Sequence, residues 1–327
     1  YRFKYYSIRL VMYIIAITTI GIAVIGSASD YNYEKTQLGG LIAGLFLMAF
    51  VSMIDYHFIL KFYWIIYIMN LIFLVMVRIM GDDGGGAQRW LDLGFVQIQP
   101  SELAKIMIIL FFAKFFEVHK ENLNTGKILI LSVILFLFPF VLVFIQPDLS
   151  TSIVLISIFC TVIFVAGLSY KVIGTILGIG LPAFAILIYN ILQPDQTILS
   201  NYQRNRILGF LYQDSNDPVI TAINYQQKNS VLAIGSGQLM GKGLNNNTIA
   251  SVKNANFISE PQTDFIFSIV GEELGFIGAA AIVLLLFLIA VECIWIGRSS
   301  KDLSGRIICC GMGAIMAFQS FINIGVA

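Results

Sequence analysis

The sequence predicts an all-α polytopic integral membrane protein, and composition, run length and run texture carry that prediction. Hydrophobic residues fill 58% of the 327 positions and charged residues 12%, against roughly 25% charged in soluble domains. The mean hydropathy is +0.84. Apolar runs able to cross about 30 Å of hydrocarbon, roughly 20 residues each, recur along the chain. They are continuous rather than alternating, which excludes a transmembrane β-barrel.

Taken in order, the first run covers 8–27 and follows the basic start YRFKYYSIRL. On its own it has the pattern of a signal peptide, but the many later runs argue for an uncleaved first helix. The others lie at 38–54, 58–79, 100–117, 128–146, 150–168, 170–192, 263–297 and 305–327, giving about nine spanning helices in one domain, 1–327. The chain opens without Met and stops inside the apolar run FINIGVA, so further chain is expected at one or both ends.

Orientation follows from the basic residues. With a cytoplasmic N-terminus the inside set is Arg2, Lys4, Arg9, Lys61, Lys114, Lys120, Lys127, Lys171, Arg298, Lys301 and Arg306. The short outside connections hold only Lys35, Arg78 and Arg89, the asymmetry that the positive-inside rule requires. Two outer segments, 80–99 and 193–262, are too long for simple connections and are expected to carry function.

A net charge of +1 with no basic cluster leaves nothing for nucleic acid to bind. Cys160, Cys293, Cys309 and Cys310 lie in apolar runs without metal-ligand spacing. His57 and His119 stand apart, giving a histidine metal site little to build on.

The informative residues are charges in apolar surroundings. Glu102 and Lys105 follow Pro100 at a three-residue spacing that puts both on one helix face, as an inward pair or as side chains snorkelling to the interface. Asp148 stands between two runs, where Asp is also an ordinary helix N-cap. In SEPQTDFIFSIVGEELGFIG, Asp264 is expected in the first turn of a helix, where the macrodipole favours a carboxylate. Glu272 and Glu273 lie about 12–13 Å further along and about 100° apart, so protein or water must surround that helix on a wide arc. Gly271, Gly275 and Gly278 offer a small surface to a neighbour.

The blocks GAQRWLDLG, IQPSELAK, QPDLSTS, NSVLAIGSGQLMGKGL, PQTDFIFSIVGEELGFIG and INIG cover nearly the whole chain. In that order they resemble the SEDS proteins, the shape, elongation, division and sporulation family that includes RodA, FtsW and SpoVE. The resemblance implies a ten-helix fold whose last helix lies beyond this sequence. It also implies peptidoglycan glycosyltransfer, in which lipid II is polymerised on the outer face of the cytoplasmic membrane by a single inverting displacement.

The family's invariant aspartate falls on Asp264, expected as general base, and its other charged motif positions on Arg89, Glu102, Lys105 and Asp148. Gln99, Ser101, Lys242, Thr263, Glu272 and Glu273 in the same blocks, and Glu260 directly before Pro261, are substrate-binding or supporting candidates. Arg89, Lys105 or Lys242 would face the leaving diphosphate, with or without a divalent cation, Mg or Mn. Gln262 replaces the family's commoner histidine before Thr263.

Expected partners are lipid II, membrane lipids and a class B penicillin-binding protein, the last docking on Gly305, Gly311 and Gly313 of the final helices. A lipid II flippase or secondary transporter also places charges inside the membrane, and a non-catalytic scaffold for a transpeptidase is a second alternative. GKGL leans toward RodA, and EPQTDFIFSIVGEELGFIG toward FtsW and SpoVE.

Overall fold

The computed structural model describes residues 6–28, 31–84, 87–92, 97–146, 148–193, 218–245 and 263–326, with a few positions between 204 and 211. Its helices are α1 (Ile8–Ala28), α2 (Tyr31–Ser52), α3 (Tyr56–Leu60), α4 (Tyr63–Met80), α5 (Pro100–Val118), α6 (Gly126–Ile145), α7 (Leu149–Val165), α8 (Tyr170–Leu192), α9 (Pro218–Ser236), α10 (Ile266–Ser299) and α11 (Leu303–Val326).

Every apolar run read above is helical. Among the described residues, α1, α2, α4, α6, α10 and α11 are long and apolar enough to cross a membrane. α5 carries Glu102, Lys105, Lys114 and Glu117, and α7 has only 17 residues, so neither joins that group.

Three boundaries differ from the sequence reading. The run 58–79 divides into α3 and α4, and Asp55 caps α3 by accepting the His57 N–H at 2.9 Å. The segment 80–99 is an antiparallel meander of β1 (Asp82–Gly84), β2 (Ala87–Asp92) and β3 (Gln97–Ile98), with Asp82 opposite Trp90 and Leu91 opposite Ile98. The segment 193–262 contains helix α9. Among its described side chains, the buried positions are Asn224, Ser230, Ala233 and, just beyond its end, Gly237. These are polar or small, and the stretch NYQQKNS in its middle interrupts any apolar run.

The chain divides into two compact units. One comprises Ile54–Phe184 and Ala290–Gln319, and α5 is its central helix, buried on almost every side. Phe111, Phe112, Phe115 and Phe116 are essentially inaccessible. Phe111 stacks on Tyr63 at 5.7 Å, and Phe112 meets Phe159 edge-on at 5.1 Å. Gly311 of α11 lies against α5 so closely that a Cβ there would stand 2.9 Å from Ile109. Gly305 and Gly313 are buried as well, beside Tyr56 and Ala290. These glycines serve internal packing and are not the open docking surface that the sequence reading made of them.

The other unit comprises Tyr1–Met53, Ala185–Ile289 and Ser320–Ala327. α1 packs on α10 here, with Val24, Ile269, Val270 and Ala279 forming a common apolar cluster. α10 breaks at Gly275, whose φ of 67° lies in the left-handed region that favours glycine. In an unbroken helix the carbonyls of Glu272 and Glu273 would accept from Phe276 and Ile277. They accept instead from the N–H groups of Lys242 and Gly243, each at 2.9 Å. The N–H groups of Phe276 and Ile277 donate in turn to the carbonyls of Gln238 (2.8 Å) and Leu239 (3.2 Å).

One neighbouring segment thus takes over these four backbone groups. This satisfies the requirement that non-helical backbone at membrane depth be buried in protein. The approach is close enough that a Cβ on Gly241 would lie 2.2 Å from the Glu273 carbonyl oxygen. Gly271 and Gly275 do receive a neighbour, the 234–241 segment, whereas Gly278 faces Leu274 of its own helix.

Candidate functional site

The charged residues form a set within each unit. In the first, Pro100 starts α5 and places Glu102 and Lys105 one turn apart. Lys105 is 2% exposed, and its Nζ stands 2.7 Å from Glu102 Oε1 and 2.6 Å from Gln319 Oε1. Gln319 Nε2 closes the ring on Glu102 Oε2 at 3.5 Å. The Glu102 side chain is 45% exposed. A buried ammonium is therefore neutralised by a carboxylate that still reaches outward.

Asp148 caps α7, with Oδ1 accepting the Thr151 N–H at 3.0 Å and Oδ2 accepting Thr151 Oγ1 at 2.8 Å. Gln99 Nε2 donates to the same Oδ2 at 3.4 Å, tying the residue before α5 to the start of α7. Arg89, half-buried on β2, donates from Nε to the Gln146 carbonyl at 3.2 Å. The Gln146 amide in turn holds the Leu74 carbonyl at 3.3 Å. Ser101 Oγ and Asn70 Nδ2 are buried with no hydrogen-bond partner among the described residues.

In the second set, Thr263 and Asp264 are exposed in the turn before α10. This corrects the expected first-turn position. Phe265 is buried and its carbonyl accepts the Ser268 N–H at 2.9 Å, so the helix starts beyond Asp264. Asp264 nonetheless keeps the N-terminal end of the helix, where a carboxylate is favoured.

Glu272 and Glu273 are each 1% exposed. Lys242 Nζ stands 2.7 Å from Glu272 Oε1, and Ser27 Oγ donates to Glu273 Oε1 at 2.5 Å. The wide polar arc expected around this helix is thus made by protein. Glu260 and Gln262 lie outside the described residues. Among those described, no three His, Cys, Asp or Glu side chains converge as a metal site would require.

The sequence matches the cell cycle protein family FtsW/RodA/SpoVE over residues 4–327. The chain belongs to that family. Relatives in it include the peptidoglycan glycosyltransferase MrdB of Escherichia coli K12, 34% identical over 97% of this chain and 82% of that protein. A second is the probable peptidoglycan glycosyltransferase FtsW of Wigglesworthia glossinidia brevipalpis, 31% identical over 98% of this chain and 84% of its own length.

The fold is similar to that of a chain in a peptidoglycan synthase complex that coordinates polymerization and crosslinking (TM-score 0.79, 26% identity, 98% of this chain and 87% of that one). It is also similar to the rod shape determining protein RodA of Thermus thermophilus (TM-score 0.68, 26% identity, 98% of this chain and 85% of that one). Within this FtsW/RodA/SpoVE member, sequence reasoning missed Gln319 and Ser27. Both are uncharged residues inside long helices, and no local signal distinguishes them from other polar residues there.

Proposed function

We propose that this protein polymerises lipid II into glycan strands on the outer face of the bacterial cytoplasmic membrane, with Asp264 as general base. Peptidoglycan glycosyltransfer in cell-wall synthesis rests on family membership and on relatives that carry that name over most of their length. The single observation that carries the assignment of the base is the exposed carboxylate of Asp264 before the half-helix Ile266–Leu274, most of whose residues are buried.

In the reaction the acceptor hydroxyl oxygen attacks the anomeric carbon of the donor. The bond from that carbon to the diphosphate oxygen breaks, its electron pair leaves with the diphosphate, and the hydroxyl proton passes to Asp264. A positioned base contributes roughly 10²–10⁴ in rate. Developing charge on the diphosphate calls for a fixed cation. Lys105 is engaged by Glu102 and Gln319. Its charge acts by holding that ring together.

The transporter reading draws on the intramembrane charges, yet the buried Lys105 and Glu272 are each paired in place with an opposite charge. A class B penicillin-binding protein is the proposed partner, in keeping with the synthase complex whose chain this fold resembles. Purified protein, partner and lipid II should yield glycan strands on a gel, and Asp264→Asn should insert normally while losing roughly 10²–10⁴ in rate. Wild-type polymer from that variant would end the assignment of the base, and lipid II translocation without polymer would favour the flippase. Chelation followed by addition of Mg or Mn tests the divalent cation separately.

A further inference from the structure

The part of α10 that follows Asp264 is short and isolated. Ile266–Leu274 is about 13 Å long, below the length at which a helix holds itself in place. Gly275 cuts its hydrogen-bond ladder from the remainder of α10. Its orientation must therefore come from lateral contacts.

Those contacts are polar, buried and distributed along its length. Ser268 hydrogen-bonds Ser230 of α9. One turn later, Glu272 pairs with Lys242 at 2.7 Å, and Glu273 accepts from Ser27 at the end of α1 at 2.5 Å. Ser27 Oγ also accepts the Asn245 N–H at 2.9 Å, which joins α1 to the same 237–245 segment that takes over the broken backbone bonds.

We infer that Lys242, Glu272, Ser27 and Glu273 are positioning residues that aim Asp264 by clamping the half-helix Ile266–Leu274 from two sides. This rests on the reading of Asp264 as the base. It assigns Lys242 a role other than contact with diphosphate, because its ammonium is committed to a carboxylate that is 1% exposed. Two adjacent buried carboxylates are costly in a membrane helix. Directional partners about 100° apart around the helix give them a use that apolar side chains could not supply: they set rotation about the helix axis as well as depth.

The test measures kcat and KM for lipid II with the purified protein and its partner, for Lys242→Met, Glu272→Gln, Ser27→Ala, Lys242→Arg and the exchanged pair Lys242→Glu with Glu272→Lys. Asp264→Asn runs alongside. Displacement of a reacting group by about 1 Å can cost 10²-fold, so Lys242→Met and Glu272→Gln should lower kcat by about 10- to 100-fold while KM stays near the wild-type value. Lys242→Arg and the exchanged pair should recover most of the rate.

A raised KM with intact kcat in Lys242→Met, or an exchanged pair no better than the singles, would make Lys242 a substrate ligand and overturn the inference. If Lys242→Met or Glu272→Gln fails to fold, Ser27→Ala decides, since it removes one hydroxyl and must still lower kcat alone. An inactive Asp264→Asn beside fully active clamp variants would sink the clamp and leave the base standing. A fully active Asp264→Asn would remove the base itself.

Discussion

Lys105 shows how burial sorts the two halves of one ion pair. Its ammonium is 2% exposed, whereas the Glu102 side chain is 45% exposed. Removing Glu102 leaves a buried cation with Gln319 as its remaining partner in the ring, a change that costs about 3–5 kcal/mol in soluble proteins. Removing Lys105 leaves a carboxylate that water can reach, and an exposed pair contributes only about 0–1 kcal/mol. Glu102→Ala should therefore destabilise more than Lys105→Met, and the double variant should be more stable than Glu102→Ala alone. Thermal unfolding in detergent checks this, and equal losses in the two single variants would show that the burial asymmetry has no energetic consequence. The sequence showed the spacing of this pair but could not show which partner was buried.

At the scale of elements, caps and breaks carry the information that hydropathy lacks. Asp302 precedes α11, accepting the Gly305 N–H at 2.9 Å and the Tyr56 hydroxyl at 2.5 Å. Burial alone would raise its pKa. The hydrogen bonds from Tyr56, Gly305 and Ser300 outweigh that and hold it below the ordinary 3.8. A carboxyl lowered in the folded state stabilises the fold above its unfolded pKa, and that contribution is lost as pH falls through the folded value. Asp302→Ala should then cost about 0.5–2 kcal/mol near neutral pH, with the gap to wild type narrowing in acid below the ordinary carboxylate range. Melting temperatures across pH check it, and a gap independent of pH would mean that the charge plays no part in the cap. The break at Gly275 was legible only as a glycine among small residues. Helix α9 was not legible, because its middle, NYQQKNS, is polar and its described buried positions are Asn224, Ser230 and Ala233 rather than a leucine stripe.

For the whole molecule, orientation is the property most open to test. α5 links β3 to the turn at 119–125, and its 19 residues rise about 28 Å, close to the hydrocarbon thickness. Asp92 and Glu121, before and after it, are both exposed, and the positive-inside rule predicts Asp92 on the outer side. Asp92→Cys should react with a membrane-impermeant thiol reagent on intact cells, and Glu121→Cys only after permeabilisation. The reverse pattern would invert the topology and put Asp264 on the wrong face for an extracytoplasmic substrate. Span positions were readable because hydropathy and charge bias are summed over neighbouring residues, and the bilayer responds to that sum.

The sequence by itself determined residence in a bilayer, the placement of the apolar helices and the family, since each is written in runs and ordered blocks. Tertiary structure alone decided which charges are neutralised and by what. Ser27 meets Glu273 across 246 positions and Lys105 meets Gln319 across 214, and no local pattern encodes contacts at such separations. It also decided that Gly305, Gly311 and Gly313 pack inward, because a small residue permits close approach without naming the neighbour. The physical reason is common to all of these: burial and pairing belong to the space around a side chain, and only the folded chain fills that space.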